Sequence, residues 1–443
     1  MKIKSILFLS AMAFASVSCD KFLDVEPVGK VIPETYDDFR AMATYAYKNG
    51  PTDRSLTALR SDEALLEPSS FSFDSFKDIY IWNDGAQDAA TRQFPWQAFY
   101  KAIFYANHII KEGVHATNGT PELVNQLVGE AYLIRAYMHF NLVNLFADQY
   151  GATDPNTQRG IPLSTSIDLE NEYKPNTVAE VYAQVIADIN AATELLNVNE
   201  QPKGYNYRFS KISAYGFAAR VYLNMKDYAK AQEYAQKALS INSKLEDLNT
   251  SGATMPYSYK SVENILAMEH TFDNDISRDI YAADAITGKF DKENDLRFAA
   301  YFTETSGKYM VKLGGKSENM VSMRTAEFYL IMAEAIAQGG GNLADAKSYV
   351  KTLLQHRLKP EHLATVAADI DAMGKEAFVQ YLFEERAREL AYQGFRWYDL
   401  KRNGKPAISK TLQGNTYTLA QGDPRYVVRF PREAVENNPN LAN

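Results

Sequence analysis

Apolar residues recur at three- and four-residue spacing over long stretches of this chain, the pattern of helices that pack on one face. Residues 123–146 keep this period with small residues among the large ones, and they predict a long helix. Residues 177–196 predict another, which begins with Thr177 and has Glu180 three residues later, the spacing of a capping box. The hydrophobic pattern therefore favours a mainly α fold.

Two further stretches each predict a pair of helices joined by a short turn. Residues 211–241 break at Lys226-Asp227, and residues 324–357 break at a run of three glycines. Small residues stand where the helices of the first pair should cross: Ala218, Ala219, Ala229, Ala231, Ala235 and Ala238. Helix, turn and helix with alanine at the crossing is the tetratricopeptide pattern, but the units lie roughly 100 residues apart. We therefore expect tetratricopeptide-like helix pairs that form a scaffold for large insertions.

Two segments, about 60–97 and 245–320, lack a sustained period and are rich in Asp, Asn, Gly, Ser, Tyr and Phe. Both are too long to be simple connections, and long irregular segments in a compact protein are usually functional. We expect short strands within them and place the functional residues there.

The first 18 residues have the three parts of a bacterial secretory signal. Lys2 and Lys4 precede a short apolar run, which ends in small residues directly before Cys19, the only cysteine of the chain. The run is too short to cross a membrane. A small residue before a lone cysteine resembles a lipobox, in which the thiol is lipidated and becomes the mature N-terminus. The alternative is an ordinary cleaved signal with an incidental free thiol; in either case no internal disulfide is possible.

Composition and motifs give no catalytic constellation. The net charge of −8 argues against nucleic acid as a partner, and the six histidines lack metal-ligand spacing, so we predict neither a metal site nor a cofactor. Glu384, Glu385 and Glu389 come close together near the C-terminus and could form a carboxylate pair. Arg386 and Arg388 alternate with them, so a solvated ion-pair network, with Glu384 facing Arg388, is the simpler interpretation.

Several stretches together resemble the SusD/RagB family of Bacteroidetes outer-membrane nutrient-binding lipoproteins. They include Cys19 followed by FLDVEP, WQAFYKAIFYANHII from Trp96, GEAYLIRAYMHFNLVNLFADQY from Gly129, and ENNPNL from Glu436. The most specific is YLFEERARELAYQGFRWYDLKRNG, residues 381–404. RFPR from Arg429 departs from the more usual Pro-Ile-Pro. The resemblance implies a removed lipoprotein signal, 1–18, and one SusD-like domain, 19–443.

The resemblance also implies a function. Such proteins lie on the cell surface, held in the outer membrane by a lipidated cysteine, here Cys19. They bind oligosaccharide or polysaccharide and deliver it to a SusC-like TonB-dependent β-barrel. Two alternatives stay open: a peptide or glycopeptide binder of the RagB type, and a scaffold subunit without its own ligand.

The ligand site is expected in the two insertions. A sugar needs an aromatic face for its C–H side and amides or charged groups for its hydroxyls. In related proteins a tryptophan in the first insertion stacks on the glycan and an asparagine soon after it bonds the sugar. The candidates are Trp82, Asn83, Tyr80, Asp84 and Gln87, with Tyr281 and Arg278 from the second insertion as an opposing wall. The alternative is that the aromatic residues around Trp82 form a small sheet with one buried face.

Residues of the shared motifs are expected to be scaffold. Trp96 and Trp397 are apolar anchors in this interpretation, and Arg396 can pair with Asp399 across one helical turn. Asp295 and Arg297 form an Asp-x-Arg motif that we also expect to be structural.

Overall fold

Helices dominate the computed structural model, which describes residues 32–50, 52–168, 173–272 and 280–442. In chain order they are α1 Tyr36–Lys48, α2 Arg54–Arg60, α3 Phe73–Tyr80, α4 Gln97–Glu112, α5 Pro121–Phe146, α6 Val178–Leu195, α7 Lys211–Asn224, α8 Tyr228–Ile241, α9 Asp284–Thr287, α10 Leu296–Tyr301, α11 Thr325–Gln338, α12 Leu343–Gln355, α13 Pro360–Ala372, α14 Lys375–Glu389, α15 Arg396–Arg402 and α16 Arg432–Asn437. The predicted signal and Cys19 lie outside the described residues.

The predicted helix pairs are confirmed. Thr177 and Glu180 form the capping box of α6. The helices α7 and α8 pack on each other, as do α11 and α12, and α11 also packs on α8 and α14. Gly216 lets α7 approach α11 closely, because a Cβ at this position would lie 2.2 Å from the ring of Phe328. Ala229 is exposed, so it takes no part in the crossing predicted for it, whereas the other alanines named there are buried.

Strands from the two insertions form one antiparallel sheet. The strands of the described residues are β1 Ala64–Leu66, β2 Asn264–Leu266, β3 Ile280–Ala282, β4 Phe302–Thr305, β5 Lys308–Val311, β6 Met323–Arg324, β7 Ile408–Leu412 and β8 Asn415–Leu419. The sheet has the order β1-β3-β5-β4, and Ala64 pairs with Ala282. The short strands expected in the insertions are therefore present, and they join segments about 200 residues apart in the chain.

A buried ion-pair network ties the second insertion to α14. Glu389 accepts hydrogen bonds from Arg297, Arg324 and Arg357, and Glu385 pairs with Arg297 and Arg388. Both carboxylates are fully buried, so the prediction of a solvated network is wrong. The cause lies in residues remote in the chain, whose guanidinium groups surround this face of the helix.

Two other predicted pairings take different partners. Glu384 pairs with Lys289 instead of Arg388, and Arg396 pairs with Asp62 at 2.7 Å instead of Asp399. The Asp-x-Arg motif is structural as expected, since buried Arg297 pairs with Asp295 at 2.7 Å.

Glu63 gives the fold a dependence on pH. It is buried beside β1, where its carboxyl group accepts a hydrogen bond from the backbone N–H of Tyr392 at 2.8 Å. Burial raises the pKa of Glu63 to about 8 from an ordinary value of 4.5. The folded protein therefore keeps a proton that the unfolded chain loses, and stability falls as pH rises from about 4.5 to about 8.

Glu63→Gln is expected to remove this loss, because a neutral amide keeps the acceptor and cannot ionise. At pH 9 the variant should be more stable than the wild type by up to about 4 kcal/mol, with little difference at pH 5. Urea unfolding at the two pH values measures this. Glu67→Gln, at a partly exposed carboxylate paired with Lys308, is the matched control. Its difference in stability from the wild type should be the same at pH 5 and pH 9. A pH-independent difference for Glu63→Gln would contradict the assignment.

Candidate functional site

The segment around Trp82 folds as a helix and a turn. Phe73–Tyr80 form α3, so the alternative of a small sheet at this position is also wrong. Trp82 follows α3 with a φ of 57°, in the left-handed region, and its Nε1–H donates to the carbonyl of Arg60 at 2.9 Å. Its side chain packs with Trp397 and Tyr426 in a small core separate from the main one.

Trp82 and Tyr80 are not ligand platforms. Both rings are buried, with 1% and 2% of their surface exposed, and the ammonium group of Lys410 lies 4.6 and 4.4 Å from their centroids. A ring buried in this way has no free face for a sugar, so the stacking prediction is wrong for these two residues. Trp397, by contrast, is the buried anchor that was predicted, stacked on Tyr426 at 4.7 Å.

Asn83 and Asp84 shape the loop after Trp82. The Asn83 amide donates to Asp78 at 3.0 Å and to the carbonyl of Ala86 at 2.9 Å. The Asp84 carboxylate binds the Arg60 guanidinium through two hydrogen bonds of 2.7 and 2.8 Å. These groups are engaged within the protein, so they position the loop; Gln87, at its end, is partly exposed.

The described residues of the second insertion do not supply the opposing wall. Tyr281 lies on β3, where the ammonium group of Lys308 stands 5.3 Å from its ring centroid, and it does not line the cleft described next. Arg278 lies outside the described residues.

A wide, open cleft of about 1520 Å³ lies beside the loop that holds Gln87. Three stretches line it: residues 84–104, residues 162–168 with Tyr173, and residues 428–442. Asp84 and Gln87 are thus brought to the cleft, whereas Trp82, Tyr80 and Asn83 do not line it. The opposing walls come from segments that were not predicted.

Partly exposed aromatic rings line the cleft. Trp96 is one of them, with ring centroids 4.9 Å from Tyr100 and 5.0 Å from Phe430. Phe104 and Tyr173 also line it. Trp96 was expected to be scaffold, and it does pack on Phe146 inside the protein, at 5.1 Å. The four-residue spacing of Trp96, Tyr100 and Phe104 is a sequence signal, not used in the prediction, that places the three side chains on one helix face.

The wall that carries Ser164 is held by a neutral histidine. Burial, with the nearby charge of Arg135, lowers the pKa of His139 to about 3, so its imidazole stays uncharged at neutral pH. Its Nε2 accepts the backbone N–H of Ser164 at 3.3 Å. The Ser164 hydroxyl in turn lies 3.2 Å from the Tyr173 hydroxyl. Hydroxyl groups are therefore fixed on the wall that faces α4.

Polar groups stand among the rings. The Gln93 amide donates to Gln87 at 3.0 Å, and both side chains line the cleft. Exposed Arg429 also lines it, and its guanidinium forms no ion pair within the described ranges. Asn438 joins two walls by donating to the carbonyl of Tyr173 at 2.8 Å. Rings with adjacent amides, hydroxyls and a guanidinium suit the two surfaces of a sugar, its apolar face and its hydroxyl rim.

The described ranges contain no cluster of three metal-ligating side chains, and no helix in them is long and apolar enough to cross a membrane. Together the fold and the cleft define a class of protein: a stack of helix pairs with a cleft that is lined by aromatic side chains, most of them from the end of the first insertion, α4 and the C-terminal segment. A family model described as starch-binding associating with outer membrane matches residues 21–223, and the SusD family model matches residues 145–439. The chain belongs to the SusD family, as its motifs predicted.

Individual relatives are distant in sequence but similar along their length. SusD-like protein P38 of Formosa agariphila is 23% identical over 492 residues, covering 90% of this chain and 91% of the relative. A SusD superfamily protein from Bacteroides fragilis has a TM-score of 0.78 at 20% identity, with 92% of this chain and 99% of that chain covered. A laminarin-binding SusD-like protein has a TM-score of 0.63 at 19% identity, with 84% and 92% covered. At these identities the structures show a shared fold.

Proposed function

We propose that this protein binds oligosaccharide or polysaccharide in the cleft beside α4, as a binding component without catalytic activity. The observation that carries the proposal is the cluster of partly exposed rings, Trp96, Tyr100 and Phe430, bordered by the Gln87 and Gln93 amides. The match to a family described as starch-binding and the likeness to a laminarin-binding protein support a glycan ligand.

Within this site Gln87 is proposed to contact the ligand. Asn83 and Asp84 act through the loop that they hold, because their polar atoms are engaged with Asp78 and Arg60. Arg429 supplies a cation beside the rings.

Delivery and anchoring complete the proposal. The protein hands its ligand to a SusC-like TonB-dependent β-barrel at the cell surface, and the lipidated thiol of Cys19 holds it in the outer membrane. The signal-like residues before the only cysteine, together with the outer-membrane association in the matched family description, support the anchor. Incorporation of labelled lipid into the wild type and into Cys19→Ala tests it: labelling of the alanine variant would contradict the anchor.

Trp96→Ala is expected to weaken glycan binding at least about tenfold, since it removes the ring that contacts both Tyr100 and Phe430 in the cleft. Titration calorimetry with starch- and laminarin-derived oligosaccharides measures the affinity per folded molecule. Trp96→Phe, which keeps an aromatic face, should lose less. Phe71→Ala, at a fully exposed ring outside the cleft, is the control and should bind like the wild type.

Two results would contradict the proposal. If folded Trp96→Ala bound glycan with wild-type affinity, the glycan site would lie outside this cleft. Tight binding of peptides together with no binding of any oligosaccharide would favour the peptide-binding alternative.

A further inference from the structure

Three of the rings that line the cleft form a row along α4. Trp96 stands directly before the helix, and Tyr100 and Phe104 follow at four-residue intervals. Residues four apart lie on one helix face, and each such step advances about 6 Å along the axis. All three rings are partly exposed, so the row continues over about 12 Å of the cleft.

The two ends of the row differ. At its start, Phe430 of the C-terminal segment lies 5.0 Å from Trp96 with its ring inclined at 61°, so two elements contribute aromatic surface. At its far end, Phe104 has ring contacts with Tyr105 and His108 of its own helix. A short ligand therefore contacts more aromatic surface at the Trp96 end of the row than at the Phe104 end.

Tyr100 is fixed between the ends. Its hydroxyl donates to the carbonyl of Pro162 at 2.8 Å, which joins α4 to the wall that carries Ser164. This hydrogen bond holds the middle ring of the row in place, so the Tyr100 side chain loses little conformational entropy when a ligand binds. The exposed amides of Gln93 and Gln97 border the start of the row.

The spacing of the row matches a chain of sugar rings. One pyranose unit with its glycosidic oxygen is comparable in length with one step of four helical residues. Each unit presents an apolar C–H face, which an aromatic ring can cover, and a rim of hydroxyls for the neighbouring amides and hydroxyls.

We propose that the cleft holds an oligosaccharide of at least three sugar rings lengthwise along α4, with successive rings on Trp96, Tyr100 and Phe104. The assignment rests on the proposed glycan-binding function and adds the minimum length and the direction of the ligand. Phe104 is then a length-determining residue, because it contacts the third ring of the bound chain.

The test is a length series. Malto- and laminari-oligosaccharides of two to six rings are titrated into the full chain as wild type and as Phe104→Ala. Wild-type affinity should rise from two rings to three or four and then level off. Phe104→Ala should weaken binding of the longer members about three- to tenfold and leave disaccharide binding unchanged.

Two further variants distinguish the loss of a ligand contact from an effect of the substitution on folding. Phe104→Trp keeps a large aromatic face and should retain the dependence on length. Phe71→Ala, at a fully exposed ring outside the cleft, is the control and should bind every member like the wild type.

The possible failures are distinguishable. Equal affinity for two and six rings, or an equal loss for all lengths in Phe104→Ala, would overturn the lengthwise arrangement and leave glycan binding intact. No binding of any member to the wild type would overturn the proposed function and this assignment together.

Discussion

Replacing Glu389 by glutamine is expected to lower the free energy of unfolding by about 3–5 kcal/mol. The carboxylate is fully buried and accepts from Arg297 at 2.8 Å, Arg324 at 2.6 Å and Arg357 at 2.9 Å. An amide of the same shape removes the charge that offsets these guanidinium groups, which stay buried. Urea unfolding at neutral pH gives the difference.

The wild-type network should also weaken in acid. Burial alone would raise the pKa of Glu389, but the charges of Arg357, Arg324 and Arg297 outweigh burial and hold the pKa well below its usual range. A carboxyl with a depressed pKa contributes stability above the unfolded pKa of about 4.5 and loses it as pH falls below that value.

Glu384→Gln is the matched control, since it makes the same change on the same helix. Glu384 is partly exposed and pairs with Lys289, so the expected loss is below about 1 kcal/mol. Equal losses in the two variants would show that the buried network contributes no more than a surface pair.

Replacing Trp82 by alanine is expected to cost about 3–5 kcal/mol of stability, the usual loss for a large buried aromatic side chain. The indole fills the small core with Trp397 and Tyr426, and its N–H donates to Arg60. Truncation leaves a cavity beside the buried ammonium group of Lys410. Because Trp82 does not line the cleft, glycan affinity per folded molecule should stay within about twofold of the wild type.

Trp82→Ala distinguishes a structural role of Trp82 in the small core from a role as a surface on which a sugar stacks. Phe71→Ala is again the control, because Phe71 is fully exposed and its loss should leave the unfolding transition unchanged. If the folded Trp82→Ala protein kept full stability but lost glycan binding, Trp82 would be a ligand-contacting surface residue, and its buried position would be contradicted.

The helical scaffold could be predicted because its signals are local. The capping residues of α6 and the periods of α5, α7 and α11 lie within single segments. The helix α3 was harder to predict from the sequence. Its aromatic residues alternate like a strand, yet Phe73, Phe76 and Tyr80 also follow helical spacing, and helical packing prevailed.

The candidate site could be predicted only in part, because burial depends on residues remote in the chain. Trp82 sits among polar residues and resembles a surface platform, but the segment from Trp397 to Tyr426 covers it. Trp96 shares the period of a core helix, and it borders the cleft because residues 162–168 and 428–442, remote in the chain, line the same cavity. Gln87 lines the cleft, and its contact with a ligand stays a prediction.

The sheet shared by the two insertions makes folding depend on residues that are far apart in the chain. Strand β1 pairs with β3, and β3 pairs with β5, so the partners of residue 64 include residue 282. Strand β1 therefore stays unpaired until residues 280–282 reach it, and an unpaired strand edge promotes aggregation. Chains that stop before residue 280 lack the whole of this partner, so truncated products should accumulate as aggregates or be degraded, whereas the full chain can close the sheet.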